Sequence, residues 1–193
     1  MNLLSKLIKA ANSLAAQWLL IAAVALALTV WSTPAAWAAS GDTAQAFIYS
    51  TEKPTLALGV VQLTETEEGL EIGASFMGAP SGTHGFHIHE GSSCADAGNA
   101  AGGHYNPDEV EHGYLPEDGF EAAHAGDLGN LTIGEDGTAL YAVTVPGLTL
   151  EGGDHPVVDH AFILHANSDD FSQPVGNAGS RIGCGVIKVG LGG

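Results

Sequence analysis

From residue 40 onward the chain alternates short apolar runs with clusters of glycine, proline and acidic residues, and no stretch shows the spacing of an amphipathic helix. Eight runs rich in β-branched and aromatic residues predict strands: Ala44–Ser50, Ala57–Thr66, Leu70–Phe76, Gly85–His89, Leu128–Ile133, Ala139–Val145, Val157–His165 and Cys184–Val189. Breakers such as Glu67-Glu68-Gly69, Gly78-Ala79-Pro80 and Gly134-Glu135-Asp136-Gly137 separate them. So many short strands in one ordinary domain length predict an all-β fold, an eight-stranded Greek-key barrel or immunoglobulin-like sandwich. Two stretches break the rhythm, Glu90–Asp127 and Ala166–Gly183. Long connections without secondary structure of their own are usually functional.

The N-terminus follows another pattern. Lys6 and Lys9 precede the apolar run Trp18–Trp31, and Ala36-Trp37-Ala38 offers small residues for cleavage. This is the layout of a signal peptide over residues 1–38, with a mature domain at 39–193. The alternative is an uncleaved membrane anchor that extends back through Leu14–Gln17; a spanning helix needs about 20 apolar residues. Either way the domain is exported. The periplasm is the expected compartment, with the thylakoid lumen, the outer face of a membrane and the extracellular medium as alternatives. Beyond Ala38 only Lys53, Arg181 and Lys188 stand against all 22 acidic residues, a formal charge of −19. That balance excludes nucleic-acid binding through phosphate contacts, and no membrane contact is expected unless the N-terminal segment is retained. The two cysteines, Cys94 and Cys184, both fall in the exported part. An even count in an oxidising compartment favours a disulfide; a pair of buried thiols is the alternative.

Histidines change the picture most. His87 and His89 lie two apart in a predicted strand, so both imidazoles project to one side and can share a metal ion. His104, His112, His124, Asp127 and His165 add further donors. An all-nitrogen tetragonal set favours Cu(II), and nitrogens closed by one carboxylate favour a structural zinc site. His84 is an odd number of residues from His87 and His89, which predicts a structural hydrogen-bonding role. His155 and His160 have no partner at ligand spacing and read as ordinary turn or surface residues. The residues alone also admit a copper store or delivery domain and a zinc-stapled adhesion module. A delivery domain usually carries a Cys-x-Cys or Met-rich segment, whereas this chain has well-separated cysteines and only Met1 and Met77.

Five phrases in order carry a resemblance: His-Gly-Phe-His-Ile-His-Glu (84–90), Gly-His-Tyr-Asn-Pro (103–107), His-Ala-Gly-Asp-Leu-Gly-Asn (124–130), His-Ala-Asn-Ser-Asp-Asp (165–170) and Gly-Asn-Ala-Gly-Ser-Arg-Ile-Gly-Cys-Gly-Val-Ile (176–187). Over essentially the whole mature region the chain resembles the Cu/Zn superoxide dismutases. The resemblance implies one copper and one zinc per subunit, superoxide as substrate, and a homodimer as the family's usual form. It assigns copper to His87, His89, His104 and His165, and zinc to His104, His112, His124 and Asp127, with His104 bridging both ions. By the same resemblance Asp169 links a copper histidine to a zinc histidine, Arg181 holds the substrate anion, and Cys94 and Cys184 form the intrasubunit bridge. Catalysis would rest on Arg181 and on His104 as proton carrier.

Overall fold

A computed structural model of the chain describes residues 42–190; the expected signal peptide at 1–38 lies outside the described residues. The strands are β1 (Thr43–Ser50), β2 (Ala57–Thr66), β3 (Gly69–Met77), β4 (Gly82–His89), β5 (Asp127–Ile133), β6 (Thr138–Val145), the two-residue β7 (Leu148–Thr149) and β8 (His155–Pro156), then β9 (Ala161–His165), β10 (Arg181–Val186) and β11 (Lys188–Val189). The main sheet runs β5-β4-β9-β10-β1-β2-β3-β6, antiparallel throughout, with β11 on the free part of β1. Its two end strands, β5 and β6, are consecutive in the chain and joined by the tight turn Gly134–Gly137, where Gly134 N–H donates to Thr138 O at 2.9 Å. The sheet is therefore an eight-stranded, nearly closed barrel, as the strand pattern predicts. Helix among the described residues amounts to a 3-10 turn at Asn99–Ala101 and one α turn at Leu115–Asp118.

Local patterning explains the wall. β1 and β3 alternate buried and exposed positions with period two, which puts Ala44, Ala46 and Ile48, and Leu70, Ile72, Ala74 and Phe76, into the interior. Phe86 of β4 centres the core, stacked on Phe162 at 5.1 Å and edge-on to Phe76 and Tyr141. β4 departs from simple alternation, because every residue from His84 to His89 is buried. Phe86 and Ile88 face the core, so His87 and His89 lie on the outer face. Their burial there places the site under covering loops rather than inside the barrel.

Two strand boundaries differ from expectation. The run 157–165 does not form one strand: Asp159 takes a left-handed φ of 70°, His160 N–H closes a turn onto Val157 O, and β9 begins at Ala161. The last strand starts at Arg181, three residues before the expected Cys184, and breaks at Ile187, whose N–H turns to His160 O. Arg181 consequently sits at a strand start, in register with His165, and not in the middle of a free loop.

Candidate metal centre

The seven donors expected from the sequence converge in two buried groups that share His104. His87, His89, His104 and His165 form one, and His104, His112, His124 and Asp127 the other; within each, the donor atoms lie within 4.8 Å of one another. β4 supplies His87 and His89, and β9 supplies His165 at its end. The long 90–127 connection supplies His104, His112 and His124, and Asp127 opens β5. His104 is seated by a bridge to His89, where the connection passes back beside β4.

Proton positions in the first group follow from its partners. His89 Nδ1 lies 3.0 Å from Gly102 O and His165 Nδ1 lies 3.2 Å from Gly179 O. A carbonyl only accepts, so each Nδ1 carries the proton, and in a neutral ring Nε2 is then a lone pair. The rings are neutral at pH 7. Burial holds His89 down at about 2 and His165 down at about 3, with neighbouring positive groups adding to the effect. The two Nε2 atoms face each other at 3.3 Å, lone pair to lone pair. His87 repeats the arrangement: Nε2 donates to Asp169 Oδ2 at 2.8 Å, and its buried Nδ1 has no hydrogen-bond partner. Inward-facing lone pairs without a proton between them are costly unless a cation sits among them, and an ion bound at about 2 Å to each nitrogen holds its donors roughly 3–4 Å apart. The donor set therefore fits a metal ion.

The second group is built around Asp127. Its Oδ1 lies 2.8 Å from His104 Nδ1 and 3.2 Å from His124 Nδ1, and its Oδ2 accepts from the Gly113 and His124 N–H groups at 3.0 Å. Burial opposes its charge, but these donors prevail and keep the carboxyl well below the usual carboxylate range. His112 Nδ1 is 2.8 Å from Asp127 Oδ2 yet badly aligned for a hydrogen bond, and His124 Nδ1 is likewise close without pairing. Proximity without alignment is what ligands aimed at a common point show. Burial would lower His112, but its carboxylate partners Asp127 and Asp169 override it and raise the ring to about 9. Burial also lowers His104, to about 4, against the pull of Asp127.

Asp169 ties the groups together. One carboxylate accepts from His87 Nε2 at 2.8 Å and from His112 Nε2 at 3.0 Å, and Phe171 N–H holds its other oxygen at 2.8 Å. Gly176 (φ +71) packs so closely here that any Cβ would collide with the Asp169 carboxylate and come within 2.7 Å of His112 Nε2. Only glycine fits.

Arg181 borders a cavity of about 270 Å³ whose walls include His89, His104, His165, Val175 and Asn177. Its guanidinium donates to Gly98 O and Gly102 O, each at 2.5 Å. Cys94 and Cys184 are disulfide-bonded, with Cα atoms 5.7 Å apart, so the segment offering those carbonyls is tied to the strand that carries Arg181.

Several positioning residues escape a reading of the sequence. Asn130 accepts from Asp169 N–H at 2.7 Å and donates to Asp169 O at 2.9 Å, and Gln173 brackets the His112 backbone in the same way at 3.0 and 2.8 Å. The only local signal is an amide in an otherwise apolar strand for Asn130, and none exists for Gln173. His84 meets its expected role, with its ring nitrogens at 2.8 Å from His165 O and 3.1 Å from Pro80 O. His155 and His160, read as ordinary turn or surface residues, are partly exposed and join neither donor group, but each has a partner: His155 pairs with Asp108 at 2.7 Å, and His160 lies 2.8 Å from Glu90 O while stacking on Tyr105.

Protein stripped of metal by a chelator should be acid-labile. Unfolded imidazoles bind protons near 6.5, whereas the folded His89, His104 and His165 bind them only near about 2, 4 and 3. Between those values the unfolded state holds more protons, so stability falls as pH drops below 6.5. His112 has the opposite sign, but its contribution is complete below 6.5 and is lost only on rising toward 9. Asp127 and Asp169, held low, lose theirs only below the ordinary carboxylate range. Taken together the three rings set a loss of up to about 9 kcal/mol between pH 6.5 and 4, so a Tm drop of well over about 10 °C is expected. A flat Tm across that window would contradict it.

Comparison with known proteins agrees with this geometry. Residues 57–187 match the family model for copper/zinc superoxide dismutase. The chain is 35% identical over 156 residues to the extracellular superoxide dismutase [Cu-Zn] of Haemonchus contortus, covering 76% of this chain and 83% of that one. It is 34% identical to the protein of the same name from Caenorhabditis elegans, over 75% of this chain and 68% of the relative. Among solved structures, a SOD-like protein from Bacillus subtilis superposes with a TM-score of 0.65 at 36% identity, covering 77% of this chain and 99% of that one. The clock protein EA4 superposes with a TM-score of 0.67 at 29% identity, covering 78% and 96%.

Proposed function

The chain belongs to the copper/zinc superoxide dismutase family, and from that premise we propose that it is an exported enzyme converting superoxide to dioxygen and hydrogen peroxide. The observation that carries this reading is the pair of lone pairs facing each other at 3.3 Å on His89 and His165, beside a cavity bordered by Arg181. His87, His89, His104 and His165 would hold copper, and His104, His112, His124 and Asp127 would hold zinc. Bound there, copper would supply a one-electron redox couple and zinc a fixed positive charge beside it.

The chain's own part is positioning and proton handling. Asp169 fixes the tautomers of His87 and His112, so that each presents Nδ1 to its group. His104 directs Nδ1 toward Asp127, which leaves Nε2 as the nitrogen that gives up and regains a proton at the cavity. Two superoxide anions and two protons yield one dioxygen and one peroxide, and His104 delivers one of those protons. Arg181 attracts and orients the anion; no side chain acts as a nucleophile. A disulfide that needs an oxidising compartment supports export, with the periplasm as the compartment proposed.

Metal content and superoxide turnover of the purified protein test the proposal together. One copper and one zinc per chain with rapid turnover is expected. Zinc alone without turnover, or both metals with superoxide left untouched, would refute it.

A further inference from the structure

The ligand loop has two excursions, 105–111 between His104 and His112, and 113–123 between His112 and His124. A single side chain outside the loop touches both. His155 Nε2 donates to Asp108 Oδ2 in the first, at 2.7 Å, and its ring stacks on Phe120 in the second, at 3.7 Å between centroids and 4° between planes. The His155 side chain is only 12% exposed. It stands on β8, paired with β7 through Leu148, and Leu148, Leu150 and Val157 around it are buried in the main core. Phe120 is trapped from another side as well, since a Cβ at Gly147 would come within 2.8 Å of its ring. The loop is thus pinned at two points to a mount fixed in the barrel.

We infer that His155 is a positioning residue for the His104, His112, His124 and Asp127 donors, holding both excursions of their loop so that the donors stand ready for zinc. The inference rests on the zinc assignment proposed above. It concerns zinc first, because His104 is the one copper donor on this loop and is seated separately by its bridge to His89, while His87, His89 and His165 are carried by β4 and β9. Outer partners that orient metal ligands typically change affinity by about 10- to 100-fold; His155 acts one step further out, so the lower end applies.

The test uses the full, metal-loaded protein, dialysed against a chelator while zinc and copper are counted over time. His155→Ala should release zinc about tenfold faster and copper at the unaltered rate. His155→Phe keeps the stack and loses the bond to Asp108, so it should show a smaller acceleration, and Asp108→Asn should add nothing on top of it. If His155→Ala does not fold, His155→Phe and Phe120→Leu carry the comparison. Unchanged zinc release in the variants, or zinc and copper accelerated alike, would overturn the inference. Should the unaltered protein bind no zinc at these donors, the functional assignment itself fails, and this inference with it.

Discussion

Arg181→Ala should lower kcat/KM for superoxide about 10- to 100-fold while copper and zinc stay bound. A hydrogen bond to a charged partner is worth about 1.5–3 kcal/mol, and among the residues lining the cavity Arg181 is the one lysine or arginine. No lysine or arginine occurs in residues 105–127, and Arg181 is the single one in 166–183. No neighbouring lysine or arginine can therefore replace it against the formal charge of −19 carried beyond Ala38. Its geometry is equally specific. Gly98 O and Gly102 O occupy part of the guanidinium fork, which fixes the direction in which the free N–H groups point. Arg181→Lys keeps the charge but exchanges a planar, anchored fork for a mobile point charge, and an intermediate loss is expected. Steady-state kinetics with metal analysis on the same samples decide the matter. Unchanged kcat/KM in the alanine variant would remove Arg181 from the mechanism, and loss of copper alongside activity would make its role structural.

The second large effect is expected from the disulfide. Replacing Cys94 and Cys184 together by serine opens a link between residues 90 apart. The chain-entropy argument puts that near 4–5 kcal/mol, a Tm drop of roughly 10–20 °C for a domain of this size. Activity should fall too, through a different route. The 3-10 turn at Asn99–Ala101 and its flanking glycines, which offer the two carbonyls to Arg181, are held to β10 by Cys94. Once that segment is free, the guanidinium loses its fixed direction, and kcat/KM should decline partway toward the Arg181→Ala value even well below the new Tm. Calorimetry gives the first effect and kinetics the second. A Tm shift of only a degree or two would show that the covering loops hold the segment without the bond; full kcat/KM at low temperature would show that Arg181 does not depend on it.

Much of this was legible without coordinates. Period-two alternation in Ala44–Ser50 and Leu70–Phe76 dictates which side of the wall each residue faces, because successive strand side chains must point to opposite faces. The donors were legible because their residue types and spacing are themselves the chemistry: the pair His87 and His89 needs only one strand to converge. Helix was absent from the pattern, and the described residues hold only isolated turns of it.

The rest depends on where loops travel, which no local period encodes. His155 and Asp108 are 47 residues apart, and Gln173 and His112 are 61 apart; only the path of the covering loops over β4 and β9 brings them together. Arg181 likewise acquires its place from tertiary pairing, since antiparallel register with His165 draws the strand three residues further than its apolar content suggests. Composition and alternation thus set the barrel and its donor residues, because burial of apolar side chains acts on each strand separately. Folded packing alone decided which lone pairs meet, which carbonyls hold the guanidinium and which outlying ring braces the ligand loop, because each of those contacts joins segments that share no local pattern.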